Sequence, residues 1–321
     1  MSSKKKIITV FGATGNQGGS VISALLAQED IASQYAIRGV TRDPSKPSAQ
    51  ALKSRGVEPT KADLDDPSSL LSAIQGSYAV FAITDYWATM SKSTEVAQGK
   101  NIVDACLSAN VKHLVWSTVP NATALTSSVL SNIYHFDSKA EVSTYAESEK
   151  SQTGLWVTHF MPGYFMGNLK TRISKDPKTG LLVMAMPWNE KETQIPLFDV
   201  VADTGKYVTG ALILGSAADG KFIQGVSQWS TPREIIDTIS KVTGEDIAYQ
   251  EITQEAWEGF LPLPPYAQKE LGENMTLIKD YSYYGKGTPS KQSESAVYID
   301  VLKGPKLSTL ADFVEANGPW V

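Results

Sequence analysis

The sequence predicts an α/β fold: a doubly wound parallel sheet with a smaller C-terminal α/β lobe. Three observations carry this. An apolar run, Ile7-Ile8-Thr9-Val10-Phe11, leads into a glycine-rich turn and then a helical pattern. Strand-like and helix-like segments alternate through the first half of the chain, as crossovers between parallel strands require. Beyond Met161-Pro162-Gly163 the alternation loosens.

Taken in order, the β-type runs are Ile7–Phe11, Tyr35–Thr41, Val57–Ala62, Tyr78–Thr84, His113–Ser117 and Trp156–Phe160. Helical spacing appears at Gly18–Gln28, Ala49–Arg55, Pro67–Ile74, Thr94–Asn110 and His135–Ser151. In the second half, Asp203–Leu214 reads as a helix, Lys221–Val226 as a strand and Thr231–Val242 as a helix opened by Thr231-Pro232. Ile247–Ile252 reads as a strand with a helix after Thr253. The proline-rich stretch Leu261–Pro265 and Tyr281, Tyr283 and Tyr284 fall in the least regular region. Lys4-Lys5-Lys6 is a charged lead-in, because the apolar run behind it is too short for a signal peptide.

The turn itself is Gly12-Ala13-Thr14-Gly15-Asn16-Gln17-Gly18-Gly19. A glycine turn between a strand and a helix leaves backbone N–H groups free at the positive end of that helix, where a diphosphate binds. Glycine suits it because a Cβ would block the tight turn and the approach of phosphate. Residues 1–162 are therefore expected to form a Rossmann-type NAD(P)-binding domain. Residues 163–321 form the smaller lobe, with some segments returning to the main sheet.

The second strand ends at Val40-Thr41-Arg42, where such folds read the adenosine ribose. Arg42 and Lys46 suit a 2′-phosphate and predict NADP, while the adjacent Asp43 leaves NAD as the alternative. Asp63-Leu64 follows the third strand, beside the expected adenine. Thr84-Asp85-Tyr86 follows the fourth, along the expected path of the cofactor.

A short-chain dehydrogenase places a tyrosine acid four residues before a lysine on one helix. Here the residue four before Lys139 is His135, and Tyr134 lies about 100° round the helix from that position. Two roles stay open. Lys139 binds the nicotinamide ribose with no reaction following, or His135 or Lys139 donates a proton in an unusual reductase. Ser117 ends the fifth strand, where a substrate-polarising hydroxyl is usual. His159 reads as a core histidine.

Composition narrows the classes. A chain of 321 residues with 42% hydrophobic and 20% charged residues is globular in character. A formal net charge of −5 argues against direct nucleic-acid binding. No apolar run approaches the roughly 18 residues that span a bilayer. The single cysteine, Cys106, fits a reducing compartment and reads as a buried apolar residue. Three histidines and one cysteine provide no metal-ligand spacing.

Four motifs in order, Gly12–Val21, Val40-Thr41-Arg42-Asp43-Pro44, Thr84-Asp85-Tyr86-Trp87 and His135–Val142, resemble the NmrA-like proteins, atypical members of the short-chain dehydrogenase superfamily. The resemblance implies NAD(P) binding with little dehydrogenase activity. It also implies a redox sensor or negative regulator of transcription, in the cytoplasm and for a regulator also the nucleus. Such a protein acts through a partner such as a transcription factor, and a homodimer stays open. The resemblance carries cofactor contacts onto Gly12, Ala13, Thr14, Gly15, Asn16, Gln17, Arg42, Lys46, Asp63, Leu64, Thr84, Asp85, Tyr86 and Lys139. It brings Tyr164, Phe165 and Asn168 over the nicotinamide. The alternative is an NADPH-dependent reductase of a small carbonyl or imine compound using Lys139 or His135.

Overall fold

The computed structural model of the chain describes residues 5–320; Lys4, part of the charged lead-in, lies outside them. The first half supplies strands β1 (Lys6–Val10), β2 (Tyr35–Thr41), β3 (Glu58–Lys61), β4 (Ser77–Ala82), β5 (His113–Ser117) and β6 (Trp156–Pro162). The second half adds β7 (Tyr164–Phe165), β8 (Ile173–Lys175), β9 (Leu182–Met186), β10 (Ile195–Phe198), β11 (Phe222–Gly225), β12 (Gln228–Ser230) and β13 (Ile247–Glu251). The main sheet runs β11-β6-β5-β4-β1-β2-β3, and all its pairings are parallel. The chain leaves β1 toward β2 and β3, then returns to the other side of β1 through β4. That reversal opens a crevice beyond the carboxyl ends of β1 and β4.

Central strands of this sheet are covered on both faces, which explains their nearly continuous apolar runs. On one face, helices Asn16–Ala27, Thr204–Leu214 and Ser293–Asp300 contribute Val21, Ile22, Leu25, Tyr207, Val208 and Tyr298 to the core. On the other, helices Pro67–Ile74, Lys92–Ser108 and Tyr134–Glu149 contribute Leu70, Ile74, Ile102, Cys106 and Val142. A third core fills the lobe, around Trp188, Leu197, Ile235 and Met275. Two three-stranded sheets, β12-β10-β7 and β13-β9-β8, frame it.

The largest departure from the sequence reading lies between Leu261 and Tyr284. Instead of irregular chain, a 17-residue helix runs from Pro265 to Tyr281. Pro265 stands at its first position, where the missing N–H costs nothing and the fixed φ suits the first turn. The helix ends in left-handed residues, Ser282 and Tyr283, which turn two tyrosines back under the sheet. The Tyr283 hydroxyl donates to Pro162 O at 3.1 Å, and that of Tyr284 to Met161 O at 2.9 Å. Strands β7, β8, β9, β10 and β12 escaped the sequence reading; all but β9 are runs of two to four residues, which carry no measurable period. The first helix starts at Asn16, two residues before its expected beginning.

No helix among the described residues is long and apolar enough to cross a membrane. Cys106 lies fully buried against the sheet, and burial pushes its thiol well above the ordinary range. It should therefore resist a thiol reagent in native buffer and react at the ordinary rate in denaturant. Fast labelling of the native protein, followed by absorbance, would contradict this packing.

Candidate active site

The glycine turn forms one wall of the crevice. Gly12 takes φ +62°, and Gly15 N–H donates to its carbonyl at 2.8 Å, closing the turn. A Cβ on Gly18 would lie 2.3 Å from the Gly12 oxygen, so the third glycine lets the helix back onto its own loop. Helix Asn16–Ala27 has no side-chain cap and no acidic residue in its first turn. Its positive end is thus unopposed, and Gly12, Thr14, Gly15 and Asn16 are exposed around it. Ala13 is buried and offers only backbone. Gln17 is also buried, and its Oε1 accepts from Ser117 Oγ at 2.8 Å. The cofactor contact expected at Gln17 thus falls on a residue whose side-chain oxygen is bonded to Ser117 at the end of β5.

The second wall is basic. Arg42 and Lys46 are exposed and form no ion pair among the described residues. The Asp43 carboxylate accepts from Ser45 N–H at 2.9 Å and Ser45 Oγ at 2.6 Å, and these bonds hold its carboxyl below the usual range. It is committed to its own turn. Asp63 is likewise engaged, accepting from Asp65 N–H at 3.0 Å. The Leu64 carbonyl accepts from Asn101 Nδ2 at 2.9 Å.

At the far end, beyond β4, two buried carboxylates organise the remaining residues. Glu95, on helix Lys92–Ser108, is 1% exposed. Its Oε1 accepts from Thr84 Oγ1 at 2.8 Å and pairs with Lys139 Nζ, and its Oε2 accepts from Ser138 Oγ. Glu270, on helix Pro265–Tyr281, is fully buried. It accepts from the Tyr86 hydroxyl at 2.8 Å and the His135 backbone N–H at 2.8 Å, and lies 2.6 Å from His135 Nδ1. Burial and this neighbouring carboxylate push the Tyr86 hydroxyl far above its ordinary value, so it stays protonated.

His135 and Lys139 thus stand one turn apart on helix Tyr134–Glu149, each backed by a buried carboxylate. Tyr134 turns away, its hydroxyl donating to Asn132 Oδ1 at 3.3 Å. Asp85 is exposed at the strand end. Along β7 the side chains alternate. Tyr164 packs into the lobe, edge-on to Trp188 at 5.6 Å, while Phe165 stays half-buried near Phe198. Asn168 is exposed. The structure therefore brings together Thr84, Tyr86, His135 and Lys139, and turns the Tyr164 side chain toward the lobe core.

Sequence reasoning missed both carboxylates. Glu95 continues the inward stripe Gly99, Ile102, Val103 and Cys106 at helical spacing, and an acid on such a stripe is the signal that could have found it. Glu270 sits likewise among the buried residues Ala267, Asn274 and Leu277, on a helix the sequence reading did not place.

A model of the NmrA-like family matches residues 4–315. The chain belongs to the NmrA-like family. It is 32% identical over 274 residues to the NmrA-like family domain-containing oxidoreductase ptmS of Penicillium ochrochloron, covering 81% of this chain and 79% of the relative. It is 30% identical over 320 residues to the similarly named malD of Malbranchea aurantiaca, covering 96% and 93%. Among solved structures, NmrA, a negative transcriptional regulator in complex with NADP, superposes with a TM-score of 0.78. The identity is 18%, over 98% of this NmrA-like chain and 95% of that one, which establishes the shared fold.

The Glu95 cluster carries a stability prediction. Glu95→Ala strands a half-buried lysine and two buried hydroxyls and should cost about 3 kcal/mol or more in denaturant unfolding. Glu95→Gln, which keeps the shape and an acceptor, should cost less. Equal and small losses would show that the carboxylate supports nothing.

Proposed function

We propose that this NmrA-like protein is an NADP(H)-dependent oxidoreductase that reduces a small carbonyl or imine compound. The single observation that carries it is the placement of His135 and Lys139 four residues apart on one helix face, beside Thr84 and Tyr86 at the carboxyl end of the sheet. That is the spacing a tyrosine and lysine hold in short-chain dehydrogenases, with histidine in the place of the acid. The names of the curated relatives support the same reading.

The residues fit a dinucleotide. The uncapped helix behind the glycine turn offers N–H groups to a diphosphate, and Gly12, Thr14, Gly15 and Asn16 are exposed around its end. Arg42 and Lys46, unclaimed by Asp43, suit a 2′-phosphate. Lys139 holds the nicotinamide ribose, with Glu95 and Thr84 fixing its direction. When bound, the cofactor supplies hydride. His135 supplies the proton that the reduced oxygen or nitrogen needs, a task histidine performs near neutral pH.

A second reading keeps the same cleft without turnover. It is favoured by Tyr134, whose hydroxyl is turned to Asn132. The protein would then sense NADP(H) and regulate transcription through a protein partner meeting the C-terminal lobe.

Two measurements test these readings. NADPH oxidation followed by absorbance against a panel of aldehydes, quinones and imines should reveal turnover, and His135→Ala should lower it about 100-fold with NADPH binding retained. Binding without turnover on any compound would favour the sensor; turnover unaffected by His135→Ala would remove histidine as the acid. Arg42→Ala should weaken NADPH by about 10-fold or more while leaving NADH nearly unchanged. Equal loss of both would show that no 2′-phosphate is read at Arg42.

A further inference from the structure

We propose that Glu270 is the positioning residue for the proton donor, holding His135 in the Nδ1–H form and leaving Nε2 to carry the exchanged proton. This rests on the reductase reading, but its observations lie apart from the cofactor corner. Glu270 reaches the site from the C-terminal lobe, 135 residues along the chain from His135. Three groups converge on its two oxygens: the His135 backbone N–H donates to Oε1, the Tyr86 hydroxyl donates to Oε2, and His135 Nδ1 lies 2.6 Å from Oε1. An ionised carboxylate only accepts, so that charge state satisfies all three. A protonated Glu270 would set a fourth hydrogen against them in a buried site.

Nδ1 therefore carries a hydrogen, opposite to the Nε2–H form that free neutral imidazole prefers. The nitrogen left over is set by the bond the other makes. Nε2 has no protein partner among the described residues and is not one of the buried unpartnered atoms. The ring is held among Tyr86, Trp87 and Phe136, with centroids 5.9, 5.1 and 4.9 Å away. In the reductive direction the substrate carbon gains hydride and the nicotinamide is oxidised. The electron pair released onto oxygen or nitrogen takes the proton as the Nε2–H bond breaks. The ring is left neutral, still bonded through Nδ1–H to Glu270, and water restores the Nε2 proton.

Other charged groups near the ring are already engaged. Lys139, one turn along the same helix, pairs with Glu95. Glu273, one turn along the lobe helix, accepts from Asn132 N–H at 2.8 Å and Asn132 Nδ2 at 2.6 Å, with Lys269 at 3.9 Å. Glu270 is the carboxylate in contact with the imidazole. Because it rides on helix Pro265–Tyr281, the donor is set only while the lobe is docked.

The test is nitrogen NMR of the three histidines in the apo protein across pH, with His135 assigned through His135→Gln. Burial pushes His113 down to about 4, so it stays neutral over the useful range. Neutral His135 should show the Nδ1–H form. Glu270→Leu removes both acceptor oxygens, and should turn neutral His135 to the Nε2–H form that free imidazole prefers. Turnover should fall about 100-fold with it while NADPH binding is kept. An Nε2–H form in the unmodified protein would overturn the proposal, and decides it even if the variant fails to fold. So would an unchanged tautomer, or unchanged turnover, in folded Glu270→Leu. An Nδ1–H form with no turnover on any compound would sink the reductase reading instead.

Discussion

A carboxylate taken out of water must be met by donors on nearly every side, and this requirement shapes the working end of the molecule. Glu95 and Glu270 come from different helices, one from each half of the chain, and both stand behind helix Tyr134–Glu149. To satisfy Glu95, Thr84, Ser138 and Lys139 must converge. To satisfy Glu270, Tyr86 and the start of the helix must do the same. The end of β4 and one face of a distant helix are thereby held in register, with polar groups oriented by bonds that apolar packing could not direct. Glu273 repeats the device one turn along, gripping Asn132 just ahead of the helix.

The rim of the crevice shows the opposite use of charge. The protein is acidic as a whole, with a formal net charge of −5, yet its acids near the glycine turn are spent locally. Asp43 and Asp63 accept N–H bonds from residues two positions on, as short polar side chains do in turns. Arg42 and Lys46 carry no such commitment. The result is a basic edge beside the positive end of the first helix, on a chain whose composition alone would not suggest an anion site.

Much of this was legible in the sequence, and the reasons for the gaps are physical. The main sheet was readable because buried parallel strands are long apolar runs separated by amphipathic helices. The glycine turn was readable because Gly12 and Gly18 answer steric demands that other residues cannot meet. In the small sheets of the lobe only β13 was legible, since β7 and β8, for example, span two and three residues and owe their form to tertiary neighbours. Helix Pro265–Tyr281 was hidden by prolines that look like breakers but serve as its start. Glu95 and Glu270 look like ordinary acids along the chain. Only once the helices are placed does each prove to face inward. Gln17 and Tyr164, which their motifs point toward a ligand, also have partners within the protein, Ser117 and the aromatic interior of the lobe.

The pair Tyr283 and Tyr284 bears on how the two halves can move. Their hydroxyls cap the carbonyls of Pro162 and Met161 where the last strand of the first half hands over to the lobe. An outward swing about that junction would strand two acceptors and two phenols in an oily interior at once. The junction of sheet and lobe is therefore latched at the backbone of the crossing point itself.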